Sequence, residues 1–516
     1  MAEVTYTADQ LEAEGAAKSR FSKLDADRSS VLERARECSQ LTIPSVVVDD
    51  GHSENDDLDT PYQAVGSRLV HNLANKIVLA LFPPNTSFMR LLPDPEVVEL
   101  VKAQNPEGEK ELDKQLVIIE QETMKQTERE ALRAPLFEGA KSLIIGGNGL
   151  LRKIPTGLKF YRMANFVVLR DFSGNPLEII AKEKVTKDTL PEDIRSQLEA
   201  STDQSENLDV VVYTRAVKKN GTWYEYQTVE DVVVEGSEIT YNDENEFPFI
   251  PLRWTSINGE NYGRGLVEQY LGDFRSLEAL YQLVLEASAV MARVIFGKRP
   301  GSTVDVNDLN DADNGACILG DLEQDITTLQ VGKNADLQVV LNTVDAITRR
   351  LEQAFLVASS AARDSERTTA TEIRYMAADL EQSLGGVYSL LSLELQRPLA
   401  YLLLAQSKVD LASLGIDLVV VTGIEALGRN AELDKLRQFN ALLQEMGAPD
   451  VVFQRIKVDN YIDMIGNALS LDTSELIKSD EEVAQEQQAA QQQALLQQGA
   501  GNLVDGVTQM PQQPQQ

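Results

Sequence analysis

The hydrophobic period of this chain changes twice along its length, and those changes bound what it can fold into. From Ala64 to Leu81 the apolar residues Val65, Leu69, Leu73, Ile77 and Leu81 recur at every fourth position, the stripe of a half-buried helix that stops at Pro83-Pro84. Between Leu150 and Pro251 the pattern switches. Short runs rich in Val, Ile, Tyr and Phe (FVVLRD, LDVVVYTRAV, TWYEYQTV, FPFIPLRW) alternate with turn residues at Ser173-Gly174-Asn175 and Asn220-Gly221. VVVYTRAVKKNGTWYEYQTV reads as a hairpin around Asn-Gly, with Lys218 and Lys219 on a solvated rim. Helical spacing then returns, with Leu266, Tyr270, Leu277, Leu280, Tyr281 and Val284 spaced by three or four in a proline-free helix from Tyr262 to Ile295. The chain is therefore α+β and mainly helical, with a sheet inserted into a helical frame.

The remaining segments fill in this plan. Residues 8 to 40 read as helix, and 44 to 61, dense in Asp, Asn, Ser and Gly, as a loop. Lys110 to Ile145 is helical up to the glycines of IIGGNGLL. Residues 296 to 332 are turn-rich, with two short apolar runs, ACIL and ITTLQV, that can pair as strands. Asn334 to Val357 is helical again, so two long helices flank a small β tip, a hairpin of helices. SSAARDSERTTA (359 to 370) is a polar loop before a helix from Thr371 to Gln406, in which Gly385-Gly386 suggest one kink and Pro398 a second. A strand, IDLVVV, leads to helices at about 431 to 446 and 450 to 469, and the Gln-rich end from Gln485 reads as a frayed helix passing into disorder.

Charge and composition narrow the function. The formal net charge is -33, incompatible with a protein that holds nucleic acid by neutralising many phosphates. The sequence contains neither a membrane-length apolar run nor a secretory signal at its start, so a soluble protein made in the cytosol is expected. Cys38 and Cys317 belong to no ligand pattern and are expected as buried free thiols, and His52 and His71 are the sole histidines, His71 as a rim residue. No metal site and no cofactor are expected. GGNGL (146 to 150) lacks the spacing of a phosphate-cradling loop and reads instead as a turn with close backbone packing; GKRPG (297 to 301) fails likewise. Acidic pairs such as Asp56-Asp57 lie in solvated runs, which leaves a two-metal nuclease as a minor alternative. The basic residues worth weighing are Arg349 and Arg350, near a helix C-terminus that they complement, and Arg363, Arg367 and Arg374 around the polar loop, where a flexible tip can touch a polyanion.

Several phrases, in order, resemble one family. They are TPYQAVGSRLVHNLANKIVLALFP (60 to 83), FYRMANFVVLRDFSGN (160 to 175), LPEDIR (190 to 195), GENYGRGLVEQYLGDFRSLEAL (259 to 280), TATEIRYMAADLEQSLGGVYSLLSLELQRPL (369 to 399) and TGIEALGRNAELDKL (422 to 436). The chain resembles, over roughly residues 5 to 480, the portal or head-to-tail connector proteins of short-tailed, autographivirus-type bacteriophages.

That resemblance implies a portal fold and a head-to-tail ring of about twelve identical subunits at one capsid vertex, through which double-stranded DNA enters on packaging and leaves on ejection. It implies a wing over 1–261, a first stem helix over 262–295, a clip over 296–332, a second stem helix over 333–357, a tunnel loop over 358–370, a second wing part with a kinked helix over 371–425, a crown over 426–480 and a Gln-rich tail over 481–516. Arg363 and Arg367 then become loop residues reaching toward DNA, with Arg349, Arg350 and Arg374 as further channel contacts, while Lys298 and Arg299 dock the packaging motor or the tail. The implied partners are a terminase ATPase, tail adaptor, capsid and internal core proteins, and the implied location is the virion, after assembly in host cytoplasm; no membrane and no enzymatic activity are implied. An acidic scaffolding protein without DNA contact is the alternative from another class. In the ring an acidic wall would push the duplex toward the axis, with repulsion screened over about 8 to 10 Å, leaving a few loop arginines as weak, reversible contacts.

Overall fold

A computed structural model describes residues 6–49, 52–53, 55–83, 87–104, 108–190, 192, 195, 209–229, 232–291, 295–314, 317, 319, 321–329, 334–357, 382–406 and 416–420. The chain forms two compact units, one of residues 1–90, 123–411 and 418–424, the other of 91–122, 412–417 and 425–516. The expectations placed on 358–381 and 421–516, which include Arg363, Arg367, Arg374, the tunnel loop, the crown and the tail, lie outside the described residues.

The first unit opens with α1 (Ala8–Ala13), α2 (Ala17–Asp27) and α3 (Ser29–Gln40). The helical stretch expected over 8–40 is thus broken at Gly15 and at Arg28, whose buried guanidinium lies over the rings of Phe166 and Tyr262. The fourfold stripe forms α4 (Val65–Leu81), with Leu69, Val70, Leu73 and Ala74 fully buried. In the second unit, Leu91 of β1 (Met89–Pro93) donates its N–H to the buried Glu120 Oε1 of α6 (Gly108–Arg129) at 2.9 Å. Neither β1 nor α5 (Pro95–Gln104) was expected. The helix expected over 110–145 is two, α6 and α7 (Arg133–Gly146), because Ala131 takes a left-handed φ of 49° between them.

The β-rich insert is as its alternation predicts, in two sheets. One is a three-stranded antiparallel sheet in the order β10 (Phe249–Arg253), β2 (Asn148–Ile154), β3 (Gly157–Tyr161). The other runs β4 (Phe166–Arg170), β5 (Pro176–Thr186), β6 (Asp209–Lys219), β7 (Thr222–Val229), β8 (Val232–Val233), with β9 (Ile239–Tyr241) also on β7. Asn220 and Gly221, at φ 53° and 90°, make the two-residue turn whose twist suits a hairpin. Side chains alternate across β6 and β7. Tyr213, Arg215 and Tyr226 meet α1 and α2 on one face, where Arg215 pairs with Glu178 and its Nη1 donates to the Leu11 carbonyl at 3.1 Å. Glu225 and Trp223 face the other way, onto Arg152 and Phe247. Lys218 and Lys219, half-buried at the rim, pair with the exposed carboxylates of Glu244 and Glu14.

GGNG is the turn with close backbone packing that the sequence predicts. A Cβ on Gly147 would lie 2.5 Å from the backbone of Arg264 and Gly265, and one on Gly265 2.5 Å from the Ile145 carbonyl. Asn148 locks the junction, its Oδ1 accepting from Gly263 N–H at 2.7 Å and its Nδ2 donating to Gly263 O at 2.9 Å. This packing shortens the helix expected from Tyr262. Residues 261–265 stay outside any helix, and Tyr262 is buried with its hydroxyl accepting from Val168 N–H at 3.0 Å. A turn at Leu266–Gln269 precedes the long helix α8 (Leu271–Met291). Ile295, expected in that helix, instead opens strand β11 (Ile295–Lys298).

After α9 (Asn334–Ala354), the last described helix, α10, covers residues 382–406. It passes through Gly385-Gly386 in helical conformation, and its irregularity is a π turn at Ser392–Gln396. There Arg397 N–H donates to Ser392 O, one residue farther back than in an α-helix. Pro398 follows, and having no N–H it fits where one carbonyl loses its backbone donor. Eight uninterrupted α-helical residues turn about 800°, leaving Tyr388 and Gln396 on different faces; the extra residue in the π turn realigns them. Both then cap α4, Tyr388 Oη donating to Ala80 O at 3.2 Å and Gln396 Nε2 to Leu81 O at 2.6 Å.

Candidate functional site

The candidate site is the helical hairpin of α8 and α9 (Asn334–Ala354) with its β tip. At its root the apolar spacing of both helices closes a core of Phe274, Leu277, Val344, Ile347, Leu351 and Phe355, with Phe274 edge-on to Phe355 at 5.8 Å. Ion pairs and caps ring this core. Arg350 Nε donates to Asp273 Oδ2 at 2.8 Å, Arg275 Nη2 to Glu37 Oε2 at 2.7 Å, and Arg68 Nη2 to Glu352 Oε1 at 2.6 Å. Glu278 accepts from the N–H groups of Tyr62 and Gln63 at 2.8 and 3.3 Å. The Arg275 guanidinium holds the Glu37 carboxyl below its usual range, and Asp273 raises the pKa of Arg350. Sequence reasoning missed these partners, and no local signal marks them: Glu37 and Arg275 are 238 positions apart, Arg68 and Glu352 284.

The C-terminal stop of α9 carries strain. Val357 N–H donates to Glu352 O at 2.8 Å and Leu356 N–H to Gln353 O at 3.1 Å, the paired bonds of a Schellman cap. Its left-handed position, normally glycine, is Leu356 at φ 59°. Lys76 Nζ, reaching from α4, donates to the Leu356 carbonyl at 2.5 Å.

Away from the root the hairpin exposes apolar side chains: Leu283, Leu285 and Val290 on α8, Val339 and Leu341 on α9. At the tip β11 pairs antiparallel with β12 (Ile326–Leu329), Lys298 opposite Ile326. ITTL is therefore a strand as expected, and it pairs with IFGK, whose residues adjoin the end of the preceding helix; half of ACIL, the partner expected for it, lies outside the described residues. Lys298 and Arg299 are exposed here, Arg299 N–H bonding to Asp325 O at 2.9 Å. Arg349 is exposed, whereas Arg350 bridges to α8. Gly385 and Gly386 line an apolar groove elsewhere on the unit.

Among the described residues no group of three His, Cys, Asp or Glu side chains is placed to hold a metal ion, and no helix is long and apolar enough to cross a membrane. Cys38 is buried and free, but Cys317, expected to be buried, is exposed. His71 is half-buried, stacked on Phe137 at 5.9 Å, and burial lowers its pKa.

The described fold is a helical frame with an inserted sheet and a two-helix hairpin exposing apolar side chains. Residues 14–477 match the family described as bacteriophage head to tail connecting protein, and the chain belongs to that family. It is 38% identical to the portal protein of Enterobacteria phage T3, covering 91% of this chain and 89% of that one. It is 37% identical to the portal protein of Escherichia phage T7, covering 96% and 94%, and 34% identical to that of Enterobacteria phage SP6, covering 95% of each. Among solved structures, a chain in the neck of an empty gene transfer agent particle aligns at a TM-score of 0.35 and 14% identity, over 72% of this chain and 85% of that one. The family is structural rather than enzymatic, and its membership disfavours the scaffolding alternative.

Proposed function

We propose that the chain is a portal subunit that assembles head to tail into a ring of about twelve copies at the capsid vertex, passing double-stranded DNA inward on packaging and outward on ejection. Identity to portal proteins along nearly the whole chain carries this reading. The exposed apolar residues of α8 and α9 support it, since a ring gives them the burial that one subunit lacks. In this reading the hairpin is the stem, 296–332 the clip, 358–370 the tunnel loop, 426–480 the crown and the remaining folded segments the wing. Arg363 and Arg367 touch DNA, with Arg349 and Arg374 as secondary contacts, and Arg350 primarily braces the stem through Asp273. Lys298 and Arg299 dock the terminase ATPase and later the tail. Capsid, tail adaptor and internal core proteins complete the partners, in host cytoplasm during assembly and at the virion vertex thereafter. Negative-stain microscopy of the purified full chain tests it: hollow rings are expected, and monomers or open filaments would overturn it.

A further inference from the structure

The most exposed aromatic side chain among the described residues is Phe172, 79% accessible at the tip of the turn joining β4 and β5. The turn beneath it is held on every side. Asp171 N–H donates to Asn175 O at 2.8 Å, and Gly174 N–H to Asp171 O at 3.0 Å. The Asp171 carboxylate accepts from Asn175 N–H at 2.8 Å and from Asn175 Nδ2 at 3.0 Å. Arg170 Nη1 donates to the Gly174 carbonyl at 2.9 Å, and Gly174, at φ 89°, lies over the guanidinium of Arg253. An apolar ring presented to solvent by so constrained a loop has little ordering entropy left to lose on docking, the property of an interface anchor.

A receptor of matching chemistry lies on the same chain. Trp254, Leu266, Leu384, Val387 and Leu390 line an open, mostly apolar groove of about 470 Å³, with Gly385 and Gly386 in its wall. A cavity of roughly 150 Å³ already accepts benzene, so an aromatic side chain fits. Glycine is the least favoured helix residue after proline, yet a Cβ on either glycine would meet no described residue within 4 Å. The described part of the subunit therefore has no need of two bare positions there, whereas a side chain arriving from outside does. Arg253, the last residue of β10, meets the Phe172 turn, and its neighbour Trp254, beyond the end of the strand, lines the groove. Distinct complementary patches on one chain make a head-to-tail contact that can close into a ring.

We propose that Phe172 of one copy inserts into the Trp254–Leu390 groove of the next, making this pair a specific inter-subunit lock in addition to the stem. The proposal rests on the ring reading above, and its test separates the two. Full-length wild type, Phe172→Ala and Gly386→Leu are compared by mass photometry and negative-stain microscopy. Gly386→Leu puts a side chain in the groove wall, where a Cβ meets no described residue within 4 Å, and favours helix. Both variants are expected to melt like the wild-type monomer and to need at least tenfold more protein to form rings. Rings at wild-type concentration from either variant would overturn the lock, and so would a block by Gly386→Leu alone, which would give the groove another occupant. A wild type that forms no ring would instead remove the ring reading. Oxidative cross-linking of Phe172→Cys to Val387→Cys, in a Cys317→Ser background, reads the contact directly: a disulfide between copies is expected, and a monomeric product or none overturns it.

Discussion

Arg253, at the end of β10, holds Glu394 in the π turn of α10 with three donors, its backbone N–H at 3.1 Å, Nε at 3.0 Å and Nη2 at 2.5 Å. The two side chains are 7% and 16% exposed, so this pair is screened little by water and ties the three-stranded sheet to the helix that caps α4. Glu394→Leu leaves the Arg253 charge buried without its partner and is expected to destabilise the protein by about 3 kcal/mol. Arg253→Met with Glu394→Leu removes both charges and is expected to recover most of that loss. A double-mutant cycle followed by thermal unfolding checks it; additive losses would show the pair to be uncoupled.

Leu356 stands where a Schellman cap wants glycine, and this gives a test by sign. In ordinary helical or extended backbone Ala is favoured over Gly, but at a left-handed position the order reverses. Leu356→Gly is expected to be more stable than Leu356→Ala by about 1 kcal/mol. Comparison of the two melting temperatures decides it, and the opposite order would remove the left-handed cap.

The two cysteines are expected to separate by reactivity. Burial pushes the Cys38 thiol up to about 12, with Glu268 and Glu37 adding to the shift. An Ellman titration of native protein near neutral pH should therefore count one fast thiol, Cys317, and a second only on unfolding. The folded thiol holds its proton more tightly than the unfolded one, so its contribution to stability is intact below the ordinary thiol pKa of about 8.5 and falls as pH rises toward 12. A melting temperature that rises across that interval in wild type relative to Cys38→Ala would contradict the sign.

Arg350 and Arg349 are expected to differ although adjacent. The Arg350 pair with Asp273 is solvent-exposed, so Arg350→Gln should leave the unfolding temperature nearly unchanged and more so at high salt. If Arg349 rather than Arg350 is free to contact DNA, Arg349→Gln should lower packaged genome yield more than Arg350→Gln, measured by DNA content per particle.

Neutralising Arg363 and Arg367 together tests the tunnel loop. The double Gln variant is expected to form rings normally and to reduce packaging or genome retention. Unchanged packaging in assembled particles would take both residues out of the DNA path.

Local chemistry explains what was legible in advance. The fourfold stripe of α4 and the Asn220-Gly221 hairpin each depend on residues within a few positions of one another, and each formed where expected; the GGNG glycines marked a tight turn, but not its packing partners Arg264 and Gly265. The strand IFGK at the tip was not expected, because its first residue reads as the end of the preceding helix and only the separation of two helix ends selects it as the partner of ITTL; half of ACIL lies outside the described residues. The groove behind Gly385-Gly386 was likewise illegible, since paired helix glycines signal a kink and an open wall equally well.

The sequence by itself determined the class of most long described segments, the α+β character and the family, because hydrophobic period, turn residues and extended identity are all written along the chain. Tertiary structure decided where elements begin and which charges are spent. Tyr262 is held out of its helix by backbone contact with Gly147, and Arg350, Arg275 and Arg68 are taken by carboxylates 77, 238 and 284 positions away. Close backbone approach and long-range ion pairing depend on which surfaces meet, and that is set by packing of the whole unit.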